Sequence, residues 1–222
     1  MTLSEILQKC DHTLLDRTAT WENIKSTLDD AIYFGTASAC IPSYFVREAK
    51  NYVGDRLKIC TVVGFPNGYS NTESKIAECR AALRDGADEI DTVVNLCQVK
   101  SGRYDEVLAE LKSLKTLCED KILKVIIETC LLTEEEKIQL CHVVSESGAD
   151  FIKTSTGFST GGATAEDVKL LRENVAAGVK VKAAGGISSI ADAELFLNLG
   201  ADRLGTSRIV KIAKNESSAD KY

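Results

Sequence analysis

Histidine and proline are scarce in this chain: two of each among 222 residues. Two imidazoles, and eight cysteines with no C-x-x-C pair among them, speak against a Cys/His metal cluster. Two prolines beside fifteen glycines exclude collagen-like and proline-rich disordered classes. Basic residues fall short of acidic ones, 27 against 33, and the net charge is -6. Phosphate neutralisation needs a surplus of Lys and Arg, so neither a nucleic acid nor an anionic membrane is expected as a partner. No apolar run approaches the ~20 residues that span a bilayer. The first residues carry Glu5, Lys9 and Asp11, which a secretory signal would not. A cytoplasmic protein is expected, with its cysteines reduced and mostly serving as small core residues. The chain is 44% hydrophobic and 27% charged, and its length suits one domain over 1–222. A loose polar tail is expected from about 214 to 222.

An internal echo organises what is there. Gly86-Ala87-Asp88-Glu89-Ile90, Gly148-Ala149-Asp150-Phe151-Ile152 and Gly200-Ala201-Asp202-Arg203-Leu204 share the pattern G-A-D-x-[IL], at spacings of 62 and 52 residues. Each follows a helix-like stretch and opens a strand-like one, and its glycine suits a helix C-terminus. Spacings of this size hold two βα units, so the repeats mark every second strand. Thr133-Glu134-Glu135-Glu136 reads as a capping box, and Thr164 and Ser189 open two more helices. Apolar runs at Thr36–Ile41, Lys58–Val63, Glu89–Val94, Ile122–Ile127, Phe151–Thr154, Val179–Ala184 and Asp202–Gly205, with Asp11–Leu15, supply eight strands. Strict βα alternation fits a closed (β/α)8 TIM barrel or an open doubly wound sheet. Eight units favour the barrel, and the first βα turn lacks G-x-G-x-x-G.

In such a barrel the site lies where strands end. Asp91 and Lys153 each stand five residues after their repeat glycine, and each follows an apolar residue that alternation turns toward the helices. Both therefore face inward. Lys182 lies late in the seventh strand. Any one of them alone could be a polar strand end touching water. Together they mean more, because a buried lysine is costly unless paired or neutral. Two lysines in one mouth lower each other's pKa, and burial lowers it further. A lysine so depressed is the nucleophile a Schiff base needs, with the aspartate in a proton relay. Which lysine attacks is not decided by this register. Gly185 and Gly186 follow strand seven, and Gly205, Thr206 and Ser207 end strand eight, where barrels often bind phosphate. A phosphorylated sugar carbonyl is the expected substrate class.

The string Phe151-Ile152-Lys153-Thr154-Ser155-Thr156-Gly157-Phe158 resembles the Schiff-base strand of the deoxyribose-phosphate aldolase family. Asp11-His12-Thr13-Leu14-Leu15, Val63-Gly64-Phe65-Pro66-Asn67-Gly68, Val125-Ile126-Ile127-Glu128-Thr129 and Val181-Lys182-Ala183-Ala184-Gly185-Gly186 resemble it in the same order. The resemblance runs from Asp11 to Ser207. It implies a TIM barrel and a class I aldolase, with no metal or other cofactor. Such an enzyme reversibly cleaves 2-deoxy-D-ribose 5-phosphate to acetaldehyde and D-glyceraldehyde 3-phosphate, in deoxyribonucleoside catabolism. It implies Lys153 as the Schiff-base lysine, Asp91 as proton donor and acceptor, and Lys182 as the residue that perturbs Lys153. It also points to Tyr222, at the end of the polar tail, as a proton relay. The chain departs from the family pattern at Arg208 and in the loop Asn95-Leu96-Cys97-Gln98. Partners implied are a sugar phosphate and aldehydes, with a homodimer left open.

Two other readings stand beside it. One is a barrel isomerase of phosphorylated sugars that forms no Schiff base, and the other a sugar-phosphate binding protein without catalysis. Among lesser residues, Cys40 reads as a small buried thiol and His12 as a structural imidazole. Glu128 either orders the lysines or makes a structural salt bridge.

Overall fold

The structure is a computed structural model describing residues 1–219. Eight parallel strands close into a barrel in chain order. They are β1 Cys10–Thr13, β2 Ser38–Ile41, β3 Ile59–Val63, β4 Glu89–Val93, β5 Ile122–Ile126, β6 Phe151–Lys153, β7 Lys180–Ala184 and β8 Arg203–Thr206. Around them lie α1 Leu3–Leu7, α2 Trp21–Phe34, α3 Val46–Val53, α4 Thr72–Arg84 and α5 Leu96–Lys100. The ring is completed by α6 Tyr104–Cys118, α7 Glu134–Ser147, α8 Ala165–Asn174, α9 Ile190–Asn198 and α10 Arg208–Ala219. The expected (β/α)8 barrel is the fold.

Local chemistry sets these boundaries. Thr133 accepts the Glu136 N–H while the Glu136 carboxylate accepts the Thr133 N–H, and Ser189 with Asp192 repeats the arrangement. Helix α7 stops at Gly148, whose φ of 79° is left-handed. The polar stretch from Lys214, expected as a loose tail, begins inside α10, which runs on to Ala219. The main core is the shell between strands and helices. Outward residues such as Ile90, Leu123, Val125, Ile152 and Leu204 meet Leu28, Leu111, Leu140 and Leu171 of the helices, all fully buried. The inside of the barrel is a different environment, where Cys40, Cys60 and Val62 form a small apolar cluster with Leu15 and Phe65 packed against it.

The G-A-D repeat acquires a physical meaning here. Asp88 accepts the Ile59 N–H at 2.9 Å, Asp150 that of Leu123 at 2.8 Å, and Asp202 that of Val181 at 2.9 Å. Each aspartate thus ties the strand it opens to the strand before it, at the base of the barrel. In the first pair the equivalent position is Ala37, which bonds to β1 through its backbone alone. Asp88→Ala leaves the buried Ile59 N–H without its side-chain acceptor. It should cost about 1–3 kcal/mol, read as a lower urea midpoint at unchanged m-value. A midpoint equal to wild type would remove the tie.

Candidate active site

The same repeat sets the depth of the inward side chains. Five residues after Gly35, Gly86, Gly148 and Gly200 stand Cys40, Asp91, Lys153 and Gly205, one from each even strand. Two residues earlier on those strands stand Ser38, Glu89, Phe151 and Arg203. Between the two tiers come Asp11, Cys60, Lys124 and Lys182 of the odd strands. Three layers of four is the usual filling of such a barrel, but branched aliphatic residues normally dominate it. Here the middle layer is three-quarters ionic and each of the other two is half charged.

The charges are tightly knit. Asp91 Oδ2 accepts from Lys153 Nζ at 2.8 Å and Lys182 Nζ at 2.7 Å, and Oδ1 accepts from Lys124 Nζ at 2.8 Å. Lys182 also donates to Asp11, as does Arg203, while Lys124 reaches Glu89 at 2.6 Å. Ser38 donates to Asp11 at 2.8 Å, and Cys60 Sγ lies 3.2 Å from Asp91. Burial opposes ionisation of Asp91, but the amines of Lys124, Lys153 and Lys182 outweigh it and hold its carboxyl well below the usual range. Asp11 is likewise held down against burial by Lys182, Lys124 and Arg203. For Lys182 the structure corrects the expectation of a depressed amine. Burial does disfavour its charge, yet Asp11 and Asp91 prevail and raise it above the ordinary lysine value. Repulsion between the lysines is outweighed by the second carboxylate, Asp11.

This arrangement fixes an acid dependence. Both carboxyls titrate lower in the folded chain than unfolded, so the stability they contribute is present above the unfolded value near 4 and lost as pH falls below it. Two sites that take up protons only on unfolding give a limiting slope of about 3 kcal/mol per pH unit well below that value. Urea unfolding at pH 4, 3 and 2 should show this fall, and a flat profile would show that the cluster carries no such linkage.

Above Lys153 opens a cavity of about 350 Å³. Gly185, Gly186, Gly205, Thr206 and Ser207 all line it with Lys153, so the lysine and the expected phosphate residues share one space. Gly185 and Gly186 both have φ of 75°, which suits glycine and bares the backbone to the cavity. A Cβ on Gly205 would stand 3.2 Å from Lys182 Cε and 2.9 Å from Ala184 Cβ. The third repeat therefore places a glycine where the others place Asp91 and Lys153, and Lys182 occupies the room. Helix α10 starts at this wall with the positive end of its dipole. Arg208, exposed at the rim, lines the same cavity.

The sequence of residues 6–204 matches the family profile described as DeoC/LacD family aldolase. The chain belongs to the DeoC/LacD aldolase family. This aldolase is 60% identical over 223 residues to deoxyribose-phosphate aldolase of Streptococcus pyogenes serotype M4 (strain MGAS10750), covering 100% of both chains. Among solved structures it resembles the deoxyribose phosphate aldolase of Aeropyrum pernix, described as tetrameric, with 31% identity and TM-score 0.90 over 98% of this chain and 93% of that one. It also resembles an aldolase designated QR15, with 37% identity and TM-score 0.91, covering 96% of each chain.

The other nominated residues of the aldolase do not all join this cavity. Cys40 is fully buried inside the barrel, packed with Cys60 and Val62. His12 faces away from the barrel interior and lies 4.0 Å from Asp30, and burial pushes its imidazole down to about 4. Glu128 binds Thr156 and, among the described residues, none of the lysines. Asn95 caps the short helix α5 by accepting the Cys97 N–H. Tyr222 lies outside the described residues. Sequence reasoning passed over Asp11, Glu89, Lys124 and Arg203, which lie one or two layers below the strand ends. Two triads, Cys40-Cys60-Asp91 and Asp11-Cys60-Glu89, bring ligand atoms within 4.8 Å of one another. The Lys124 ammonium already occupies their midst, 2.6 Å from Glu89 and 3.3 Å from Cys60. Among the described residues no helix is long and apolar enough to cross a membrane.

Proposed function

We propose that this aldolase reversibly cleaves 2-deoxy-D-ribose 5-phosphate to acetaldehyde and D-glyceraldehyde 3-phosphate through a Schiff base on Lys153. The observation that carries the reading is the Lys153 amine at the floor of a cavity whose opposite wall is glycine backbone and a helix start. Lys153 pairs with one carboxylate, Lys182 with two and Lys124 with three, so Lys153 is the amine least committed to its neighbours. The interior holds four cationic side chains, of Lys124, Lys153, Lys182 and Arg203, against Asp11, Glu89 and Asp91. Attack needs an amine without its proton, and Lys153 is the one of the three lysines that lines the cavity.

The neutral amine adds to the C1 aldehyde of the open-chain sugar, and loss of water gives the iminium. The C3 hydroxyl gives up its proton, the C2–C3 bond breaks, and its electrons pass to the iminium nitrogen, forming an enamine and releasing D-glyceraldehyde 3-phosphate. Protonation at C2 and hydrolysis free acetaldehyde and the lysine. Asp91 acts in this scheme as acceptor and orienter, since a carboxyl held so firmly ionised carries no proton to give. Lys182, held cationic, is the donor that serves it. Gly185, Gly186, Gly205, Thr206 and Ser207 bind the phosphate, with Arg208 at the rim.

Borohydride reduction with acetaldehyde tests the reading, because only a Schiff base yields a stable adduct. Mass mapping should place it on Lys153. No adduct, or one on Lys182, would overturn the assignment. Ser207→Asp sets a carboxylate beside the phosphate wall. It should raise KM for the phosphorylated sugar at least about tenfold and barely alter that for 2-deoxyribose. Equal damage to both would place the phosphate elsewhere.

The catalytic unit we propose is one domain over 1–222, and a homodimer is the assembly that light scattering would test. A cytoplasmic site accords with eight free cysteines.

A further inference from the structure

Strand β5 ends in an irregularity that the mechanism does not use. The Ile127 N–H donates to the Lys153 carbonyl at 3.0 Å, and the Thr129 N–H to the Thr154 carbonyl at 2.9 Å. Two steps along one chain thus match one step along its neighbour, which makes Glu128 a bulge residue. Its φ of 56° and ψ of 65° are left-handed, where residues other than glycine are uncommon.

The bulge turns the Glu128 side chain across to the loop that follows the Schiff-base strand. There it is 3% exposed and accepts the Thr156 N–H at 3.1 Å and the Thr156 hydroxyl. The Thr156 oxygen accepts the Phe158 N–H at 3.0 Å. Thr156, Gly157 and Phe158 line the cavity above Lys153, and the Phe158 ring meets Phe65 edge-on at 5.3 Å. Among the described residues no cation pairs with Glu128. A buried carboxylate without a counter-charge, on a left-handed backbone, is doubly unfavourable and persists where its surroundings hold it.

We infer that Glu128 is a positioning residue: its carboxylate clamps Thr156, and through it Phe158, as the wall of the substrate cavity. The inference rests on the proposed Schiff base at Lys153, since it assigns that wall to the sugar part of the substrate. Glu128→Gly separates backbone from side chain, because glycine accepts the left-handed conformation while the clamp is lost. KM for 2-deoxyribose 5-phosphate should rise about tenfold or more. Acetaldehyde trapping on Lys153 needs no sugar wall and should proceed at the wild-type rate. Glu128→Gln keeps one acceptor oxygen and should recover much of the KM. An unchanged KM in Glu128→Gly would overturn the clamp. So would a joint loss of KM, trapping and melting temperature, which marks general unfolding. Failure of the wild type to trap at Lys153 would instead sink the underlying reading, so the two failures are told apart.

Discussion

Lys153→Ala should abolish turnover, by a factor of at least about 10⁴, and should abolish borohydride trapping with it. No neighbour can substitute. Lys124 lies a layer deeper and is bound by Asp91, Glu89 and Asp11, while Lys182 is shared by Asp11 and Asp91. Fold stability should change little by comparison. The alanine removes one of four interior cations and leaves three facing three carboxylates. Melting curves close to wild type, with activity gone, are the expected pair of results. Residual trapping would reveal a second reactive amine, and mapping the adduct would name it.

Lys182→Leu should lower turnover at neutral pH by about 10²–10³. The reason lies in the charge count as much as in the lost proton donor. With Lys182 gone, three interior cations face three carboxylates, where the wild type has one cation more. The trapping rate should fall too and should recover as pH is raised toward 10. Stability should drop by at most about 3 kcal/mol, the low end for breaking a buried pair, because no surplus charge remains. An equal loss of trapping at every pH would leave Lys182 with proton transfer alone.

The fold was largely legible in the chain because its punctuation is physical. Capping boxes at Thr133 and Ser189 and a left-handed glycine at Gly148 need no tertiary context to be read. Asp91 and Lys153 were placed by the offset from their repeat glycines, which the barrel keeps. The deeper charges escape a reading confined to strand ends. Yet Glu89 lies two residues before Asp91 and shares its face, and Arg203 keeps the same offset from Gly200 that Glu89 keeps from Gly86. Lys124 stands alone in Ile122-Leu123-Lys124-Val125-Ile126, at the alternation step that faces inward. A charge inside an apolar run was the available signal. What no local pattern could supply is the partnership of Asp11 with Lys182, which spans 171 residues and exists only in the closed ring. Against burial, that partnership and the one with Asp91 together raise Lys182 above the ordinary lysine value.

The aspartate ties at the base give the ring a hidden grain. Strands β3 with β4, β5 with β6, and β7 with β8 are fastened pairs, so the barrel is a circle of contiguous two-strand modules, fastened on the side away from the chemistry. Asp91 belongs to one module, Lys124 and Lys153 to the next, Lys182 and Gly205 to a third, and Asp11 to the first pair. No module holds a competent site by itself. The proposed catalysis is therefore a property of circular closure, and new chain ends would be best tolerated in the joins between modules: α3, the α5–α6 stretch and α8.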